Sequence, residues 1–347
     1  MATHIPQQHL RALRNFAKAL AFLLVSTGGA CRSEDAVTVP NPRTTVVLHV
    51  PGARVHAIAA SPDGALFVGL AGGIFRMIPS RSMGWEKVAE TTFVPTRFHA
   101  PSRSTLFILG QMSGNVYQWE AGLGVRTMVT PLSDSVVGDG HGQANIGLRD
   151  VWGRGANDVY AVGYNAAVIH FDGHSWTLEQ NPLVKYAFEP GLATLRSVGG
   201  DGQTVYSAGT FDLIAKGTQG WRIIEPPMRE NSPAWHIAGR VGNGMLFVGR
   251  ERTEQVIRAF NYEGGAWTDL SSKLRAIRGD IGHGTSQEDG SLIFWTHLAE
   301  LVRVQPDHGV TIYPHLSLSL VRGGAIVENR LYVAGTRRDN AVVLRVD

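Results

Sequence analysis

Residues 148–178 read LRDVWGRGANDVYAVGYNAAVIHFDGHSWTL and contain four short strand-like segments separated by turns. Polar and apolar residues alternate at 148–152, and the turn Asn157-Asp158 leads into the apolar segment 159–163. A third segment covers 167–171, and Trp176 opens the fourth. Short alternating segments between Gly, Asn and Asp turns indicate antiparallel sheet. A unit of four such strands is typical of a propeller blade.

The second segment of this unit, an apolar-aromatic run usually closed by glycine, recurs along the chain. Its seven copies begin at residues 66, 106, 159, 205, 246, 292 and 331, with a mean spacing of about 44 residues. Trp or another apolar residue opens a fourth strand 16 to 21 residues after the first six copies, at Trp85, Val125, Trp176, Trp221, Trp267 and Val310. The repeat predicts an all-β, seven-bladed β-propeller of four-stranded blades.

The seventh unit ends before a fourth strand can form, because the sequence stops at Asp347. A strand-like segment at 44–50, TTVVLHV, precedes the first full unit and has no partner within it. If this N-terminal strand becomes the outer strand of the last blade, the ring closes and no blade face is left exposed. The predicted propeller therefore covers residues 44–347.

The stretch 148–178 resembles the propeller repeats of bacterial envelope proteins, whose pattern runs Val-Trp-Gly, Asp-Val-Tyr-Ala-Val-Gly, Ile-His-Phe-Asp-Gly and Trp-Thr. Residues 151–153, 158–163, 169–173 and 176–177 match this pattern. The resemblance implies a fold rather than an activity, since propellers host many unrelated functions. The turn Ser61-Pro62-Asp63-Gly64 is also similar to one in propeller lactonases and streptogramin lyases, but it is an ordinary turn sequence and carries no functional weight.

The N-terminal region has the pattern of a bacterial lipoprotein leader. Basic residues precede an apolar run at 19–25, small residues follow at 26–30, and Cys31 comes next as the one cysteine of the chain. This order is typical of a secretory signal peptide. It resembles a lipobox, although Gly28 stands where that family prefers Leu. The prediction is a signal peptide at 1–30, a lipidated Cys31 and a polar tether at 31–43; the alternative is a secreted or periplasmic protein.

The charge of the mature chain argues against nucleic acid as a partner. Residues 1–30 contain three basic side chains and no acidic one, so 29 of each sign remain after cleavage. A formally neutral chain lacks the basic excess of nucleic-acid-binding domains. Because Arg32 rather than Asp follows the cysteine, the lipoprotein resemblance implies the outer membrane, with contact to the membrane through the lipid only.

The search for chemistry yields weak candidates. No nucleophile elbow, zinc-protease, phosphate-loop or dinucleotide motif occurs, and no cofactor is predicted. The longest interruption of the repeat, residues 131–147, contains Asp134, Asp139 and His141, which could ligate a divalent metal or could be solubilising side chains of a loop.

Alignment of the predicted innermost strands brings basic residues into one register. One position of each strand is occupied by His56, Arg97, Arg149, Arg196, Trp235, Arg275 and Ser319. Four arginines and a histidine would then surround the channel and could bind an anionic ligand, since arginine offers paired donors. Alternatively, these side chains pair with acids such as Asp150 and only fill the channel.

Three functions are consistent with these observations. The favoured one is a non-enzymatic scaffold at the outer membrane that binds an envelope protein or a glycan. A propeller glycan hydrolase or lyase is the alternative, and converging ionisable side chains in a deep channel pocket would favour it. The third is an assembly factor similar to the propeller lipoprotein of the barrel-insertion machinery. The oligomeric state is not predicted.

Overall fold

The computed structural model describes residues 37–38, 40–111, 113–133, 147–183, 194–210, 212–228, 234–251 and 255–347. Within these ranges the chain forms seven β-sheets, and its one helical segment is a 3-10 turn, η1 (Tyr164–Ala166). No helix there has the length and apolarity needed to cross a membrane. The predicted signal peptide and Cys31 lie outside the described residues.

Blades 1 to 5 are each formed by four consecutive strands of the chain, whereas blades 6 and 7 each include one strand from the N-terminal region. Two strands, β1 (Val37–Thr38) and β2 (Thr44–Val50), precede the first blade. Blades 1 and 2 comprise β3 (Val55–Ala60), β4 (Leu66–Leu70), β5 (Gly73–Ile78), β6 (Ser82–Ala89), β7 (Pro95–Ser102), β8 (Thr105–Gly110), β9 (Val116–Glu120) and β10 (Gly124–Met128). Blades 3 and 4 comprise β11 (Leu148–Gly155), β12 (Asp158–Gly163), β13 (Val168–Phe171), β14 (Trp176–Leu178), β15 (Leu195–Gly200), β16 (Val205–Gly209), β17 (Leu213–Gly217) and β18 (Gly220–Ile224).

The remaining strands form blades 5, 6 and 7. They are β19 (Ala234–Val241), β20 (Gly244–Arg250), β21 (Ile257–Glu263), β22 (Ala266–Asp269), β23 (Thr285–Ser286), β24 (Leu292–Trp295), β25 (Leu301–Val304), β26 (Val310–Tyr313), β27 (Leu320–Val327), β28 (Arg330–Arg337) and β29 (Asn340–Val346). The inner strands β3, β7, β11, β15, β19, β23 and β27 contact one another in this order around the channel, and β27 returns to β3.

The ring closes through the N-terminal strand, as predicted. The sheet of the last blade has the order β2-β29-β28-β27, with Thr44 opposite Val346 and Val50 opposite Ala341. The indole nitrogen of Trp85, on blade 1, donates to the Val47 carbonyl at 2.9 Å and ties the closing strand to the first blade. The seven-bladed propeller with a shared last blade is thus confirmed.

The hydrophobic core lies between the blades. Among the described residues seven apolar clusters occur, each formed by the facing sides of two adjacent blades. The second strands are fully buried because they pack on both sides; Leu66–Leu70 is an example. Aromatic residues bridge neighbouring blades, as where the rings of Phe67 and Trp119 meet edge to face with centroids 5.6 Å apart. Such burial supplies most of the stabilising free energy of a propeller.

Glycine ends the second strand of several blades for a steric reason. A Cβ atom added at Gly163, Gly209 or Gly335 would lie 2.4, 2.2 or 2.1 Å from a carbonyl oxygen at the start of the inner strand. No real side chain tolerates that distance, so only glycine allows the inner strand to approach this closely. In these three blades the glycine is therefore a requirement of the hairpin between first and second strands.

Two predicted boundaries are corrected by the structure. The tether predicted at 31–43 is not free over its second half, because Val37 and Thr38 pair in parallel with β26 as a fifth strand of blade 6. The Asn41 side chain also accepts a hydrogen bond from the His315 backbone N–H at 2.9 Å. The second correction concerns blade 6, whose inner strand β23 lies beyond a run of turns at 271–276 instead of within it.

Candidate functional site

Most inner strands share a backbone irregularity at the same end of the channel. Five of them carry a β-bulge after their first or, in β27, their second paired residue, and each bulge leaves one residue unpaired: His56, Thr96, Arg149, Arg196 and Arg322. A bulge bends its strand and redirects a side chain. Because every inner strand starts at this end, the bulged residues lie around one mouth of the channel. We call this end, with Arg149, Arg196 and Arg322, the arginine face.

The structure brings four of the predicted ring residues to this region. His56, Arg149 and Arg196 occupy equivalent bulge positions on blades 1, 3 and 4. Arg97 follows the bulge of blade 2 by one residue and lies inside the channel, where its Nε is 3.6 Å from an Asp150 carboxylate oxygen.

Three members of the predicted ring are elsewhere. Trp235 is fully buried between blades 4 and 5, since it pairs with Gly249 and its side chain points to the opposite face of the strand. Arg275 lies in the turns before blade 6 and not on an inner strand. Ser319 precedes β27, and its hydroxyl donates to the Thr336 carbonyl at 2.8 Å. At Trp235 the alignment was wrong by one residue, which exchanges the two faces of a strand. At Arg275 and Ser319 it was wrong by several residues, because turns at 271–276 precede blade 6 and the bulge of β27 lies at Arg322.

A constant distance in sequence between the channel residue and the second strand would have identified the channel residues of blades 6 and 7, which the alignment missed. His56, Arg149 and Arg196 stand nine or ten residues before the opening residue of their second strands. The same spacing selects His283 before Leu292 and Arg322 before Leu331. The spacing is constant because the first hairpin of each blade has nearly constant length.

Positive charge at the arginine face is not neutralised by neighbouring carboxylates. In the part of the chain that the structure describes, none of Arg149, Arg196 and Arg322 has a carboxylate within 4.0 Å, and all three are exposed. The Arg149 guanidinium lies over the ring of Tyr164, 4.3 Å from its centroid. Burial, together with the charges of Arg196 and Arg97, lowers the pKa of Arg149. A bound anion would reduce this repulsion between the arginine side chains.

Nearby acidic side chains are engaged in other contacts. Glu251 is paired with Arg258 at 2.7 Å, and Asp280 with Arg250 at 3.0 Å. The Glu300 carboxylate accepts the Thr296 hydroxyl at 2.9 Å and backbone N–H groups at the start of blade 6. These acids therefore do little to offset the positive potential of the arginine face.

Below the arginine face the channel holds a cavity of about 400 Å³ lined by inner strands of all seven blades. Asp150 is the centre of its polar lining and is only 3% exposed. Its Oδ2 accepts the Val198 N–H at 2.7 Å and lies 3.1 Å from His283 Nε2. Burial raises the pKa of Asp150, but His283, Arg97 and the Val198 N–H together hold that pKa below its usual value. Asp150 is therefore a buried carboxylate at neutral pH.

Two histidines near the channel are neutral at physiological pH. Burial lowers the pKa of His99 to about 4, and burial with the charges of His283, Arg196 and Arg97 lowers that of His236 to about 4. A histidine whose pKa is depressed in the folded state binds fewer protons there than in the unfolded chain below about pH 6.5.

This linkage predicts a loss of stability on acidification. Between pH 6.5 and 4 the free energy of unfolding is expected to fall by about 5 kcal/mol, about half of it from each histidine, because the unfolded state binds protons that the folded state does not. Urea unfolding of the wild type, of the H99Q/H236Q double variant and of H174Q, an exposed control, measures the effect. The double variant should show a flatter pH dependence and H174Q should not; equal slopes for all three would contradict the prediction.

The predicted metal ligands Asp134, Asp139 and His141 lie outside the described residues. Among the side chains that the structure does describe, no group of three or more His, Cys, Asp or Glu residues could hold a metal ion.

Comparison with known proteins identifies the fold alone. No protein-family model and no curated protein matches the sequence. Among solved structures, virginiamycin B lyase from Staphylococcus aureus is similar with a TM-score of 0.64 at 12% identity, over 88% of this chain and 99% of that one. YCF48 from Cyanidioschyzon merolae has a TM-score of 0.63 at 13% identity, over 87% and 98% of the two chains. The extracellular domain of BT4673 from B. thetaiotaomicron has a TM-score of 0.60 at 10% identity, over 88% of this chain and 39% of that one.

Proposed function

We propose that this chain is a binding propeller whose arginine face holds an anionic group of a protein or glycan partner in the cell envelope. The observation that carries the proposal is the group of three exposed arginines around one channel mouth, none with a carboxylate within 4.0 Å in the described chain. Guanidinium groups bind carboxylate, sulfate and phosphate through paired hydrogen bonds. Placed above a channel, they also concentrate anions electrostatically.

Loss of the arginines should weaken binding to polyanions. Polygalacturonate and poly-glutamate are suitable probes, with neutral dextran as the uncharged comparison. The double variant R149A/R196A is expected to bind the preferred polyanion at least about tenfold more weakly, because each charge-assisted hydrogen bond contributes about 1.5–3 kcal/mol. Isothermal titration calorimetry at low and at moderate salt measures the change.

Arg222 supplies a matched control for this experiment. It is exposed on the outer strand β18, away from the channel, so R222A should leave the affinity unchanged. A preference for poly-glutamate would point to an acidic protein partner, and one for polygalacturonate to a glycan. Failure to bind either polyanion, or equal binding by wild type and double variant, would overturn the proposal.

We further propose that a lipid on Cys31 anchors the chain to the outer membrane. The path of the N-terminal segment is compatible with this anchor. The outer strand β26 runs toward the arginine face, and β1 runs parallel to it. Val37, the first residue of β1, is therefore farther from the arginine face than Thr38 is.

Metabolic labelling tests the anchor directly. Cells that express the full chain are expected to incorporate a labelled fatty acid into it, and the C31A variant is expected to incorporate none. Detergent partitioning of both proteins provides a second measurement. A wild-type protein without label would contradict the lipid anchor and would favour secretion.

A further inference from the structure

A histidine and a buried carboxylate form a pair inside the channel cavity, below the arginine face. His283 lines this cavity, and its Nε2 lies 3.1 Å from Oδ2 of Asp150. The carboxylate is held from two other sides, by the Val198 N–H at 2.7 Å and by Arg97 at 3.6 Å. The two residues come from blades 3 and 6, so the ring closure itself creates the pair.

Asp150 biases which nitrogen of His283 carries a proton. Nε2 is buried and lies 3.1 Å from the carboxylate without an aligned hydrogen bond, so the negative charge favours a proton on that atom and leaves the lone pair on Nδ1. The His283 side chain is 29% exposed while that of Asp150 is 5% exposed, so the histidine is accessible and the carboxylate is not. An oriented histidine with one free ring nitrogen is the usual arrangement of a general base.

The composition of the cavity selects the class of reaction. Hydrolysis of a glycosidic bond normally needs two carboxylates on opposite sides of that bond. Among the described residues that line this cavity, Asp150 is the one carboxylate, and it is already engaged by His283, Arg97 and Val198. A single base next to several cations suits proton abstraction from a carbon that bears a carboxylate, because cations stabilise the negative charge that develops on that carboxylate.

A positively charged side chain that can stabilise this charge lines the cavity. Arg322 lines the same cavity as His283 and also belongs to the arginine face. Trp152, whose partly buried side chain packs against the core between blades 3 and 4, lines the cavity as well. A glycan whose sugar ring carries a carboxylate, that is, a uronic-acid glycan, combines the acidic C–H with the group that the arginines bind.

We propose that His283, oriented by Asp150, is the general base of a β-elimination on uronic-acid glycans bound at the arginine face. The inference rests on the proposed anion-binding function and adds a reaction to it. Nδ1 of His283 takes the proton from the carbon next to the carboxylate, and the electron pair of that C–H bond forms a carbon–carbon double bond. The C–O bond to the neighbouring sugar breaks, and the leaving oxygen keeps its electron pair and takes a proton from water. No oxidant, reductant or metal is needed.

The test uses the full chain and oligomers of galacturonic, mannuronic and guluronic acid. The unsaturated uronate product absorbs in the ultraviolet, so turnover is followed without a label, and binding is measured separately by calorimetry. The wild type is expected to produce the chromophore from at least one oligomer. H283Q is expected to bind that oligomer within about twofold of wild type and to react at least about 100-fold more slowly, the range of general-base catalysis.

Control variants separate chemistry from binding and from folding. H174Q changes an exposed histidine on blade 3 and should react like the wild type. D150N should slow the reaction and displace its pH profile while binding persists, as expected of a positioning residue. Binding without chromophore in the wild type overturns the base assignment and leaves the binding function intact. Absence of binding by the wild type overturns both the base assignment and the binding function. These two outcomes are read from the wild type, so they are decisive even if H283Q fails to fold.

Discussion

A chain that begins at residue 51 is expected to lose cooperative unfolding, or to unfold with at least about 5 kcal/mol less free energy than one that begins at residue 44. Removal of β2 leaves the edge of β29 unpaired along its whole length. It also uncovers the apolar cluster between blades 7 and 1, against which Val47, Leu48 and Val50 pack. Each partly buried side chain of this kind contributes about 1–2 kcal/mol, and the open ring loses its closing interface as well.

The two truncations form a matched pair. Both lack β1 and all that precedes it, so they differ only in residues 44–50 and in the hydrogen bond from Trp85 to Val47. Calorimetric melts and urea unfolding curves of the purified proteins give the comparison. Similar melting temperatures and similar urea dependence for the two chains would show that closure by β2 contributes little to stability.

Replacement of Asp150 by alanine is expected to destabilise the protein by about 2–3 kcal/mol. The variant leaves the buried Val198 N–H without its acceptor and removes the negative charge beside His283 and the partly exposed Arg97, and the loss of a charged acceptor from a buried donor carries a cost of this size. D150N keeps the shape and one acceptor oxygen, so it should cost less. D289A, which removes the half-exposed partner of Arg303, should change stability by less than about 1 kcal/mol.

The pH dependence of the same variants checks the assignment. Because the pKa of Asp150 is below its usual value in the folded state, the carboxylate contributes stability above about pH 4 that is lost as the pH falls further. D150A should therefore lose less stability than wild type when the pH is lowered from 4.5 to 3. An identical acid dependence for the two proteins would mean that Asp150 does not carry the buried charge.

The sequence predicted the seven blades, the closing strand and three of the channel-mouth residues, because each of these depends on local pattern. The spacing of the second strands reveals the number of blades, and alternation within 44–50 reveals a strand without a partner. His56, Arg149 and Arg196 could be aligned because their blades keep the same short hairpin. Where blade 6 has additional turns, the same alignment selected Arg275 and missed His283.

The chemistry of the channel was decided by the tertiary structure. Asp150 and His283 belong to different blades, and only the closed ring brings Nε2 to 3.1 Å from the carboxylate. Blade architecture can be read from the amino-acid sequence because a β-strand has a period of two and a blade has nearly constant length. The contacts across the channel depend on bulges and on strand register, and a single-residue shift in either turns a side chain from the channel to the core.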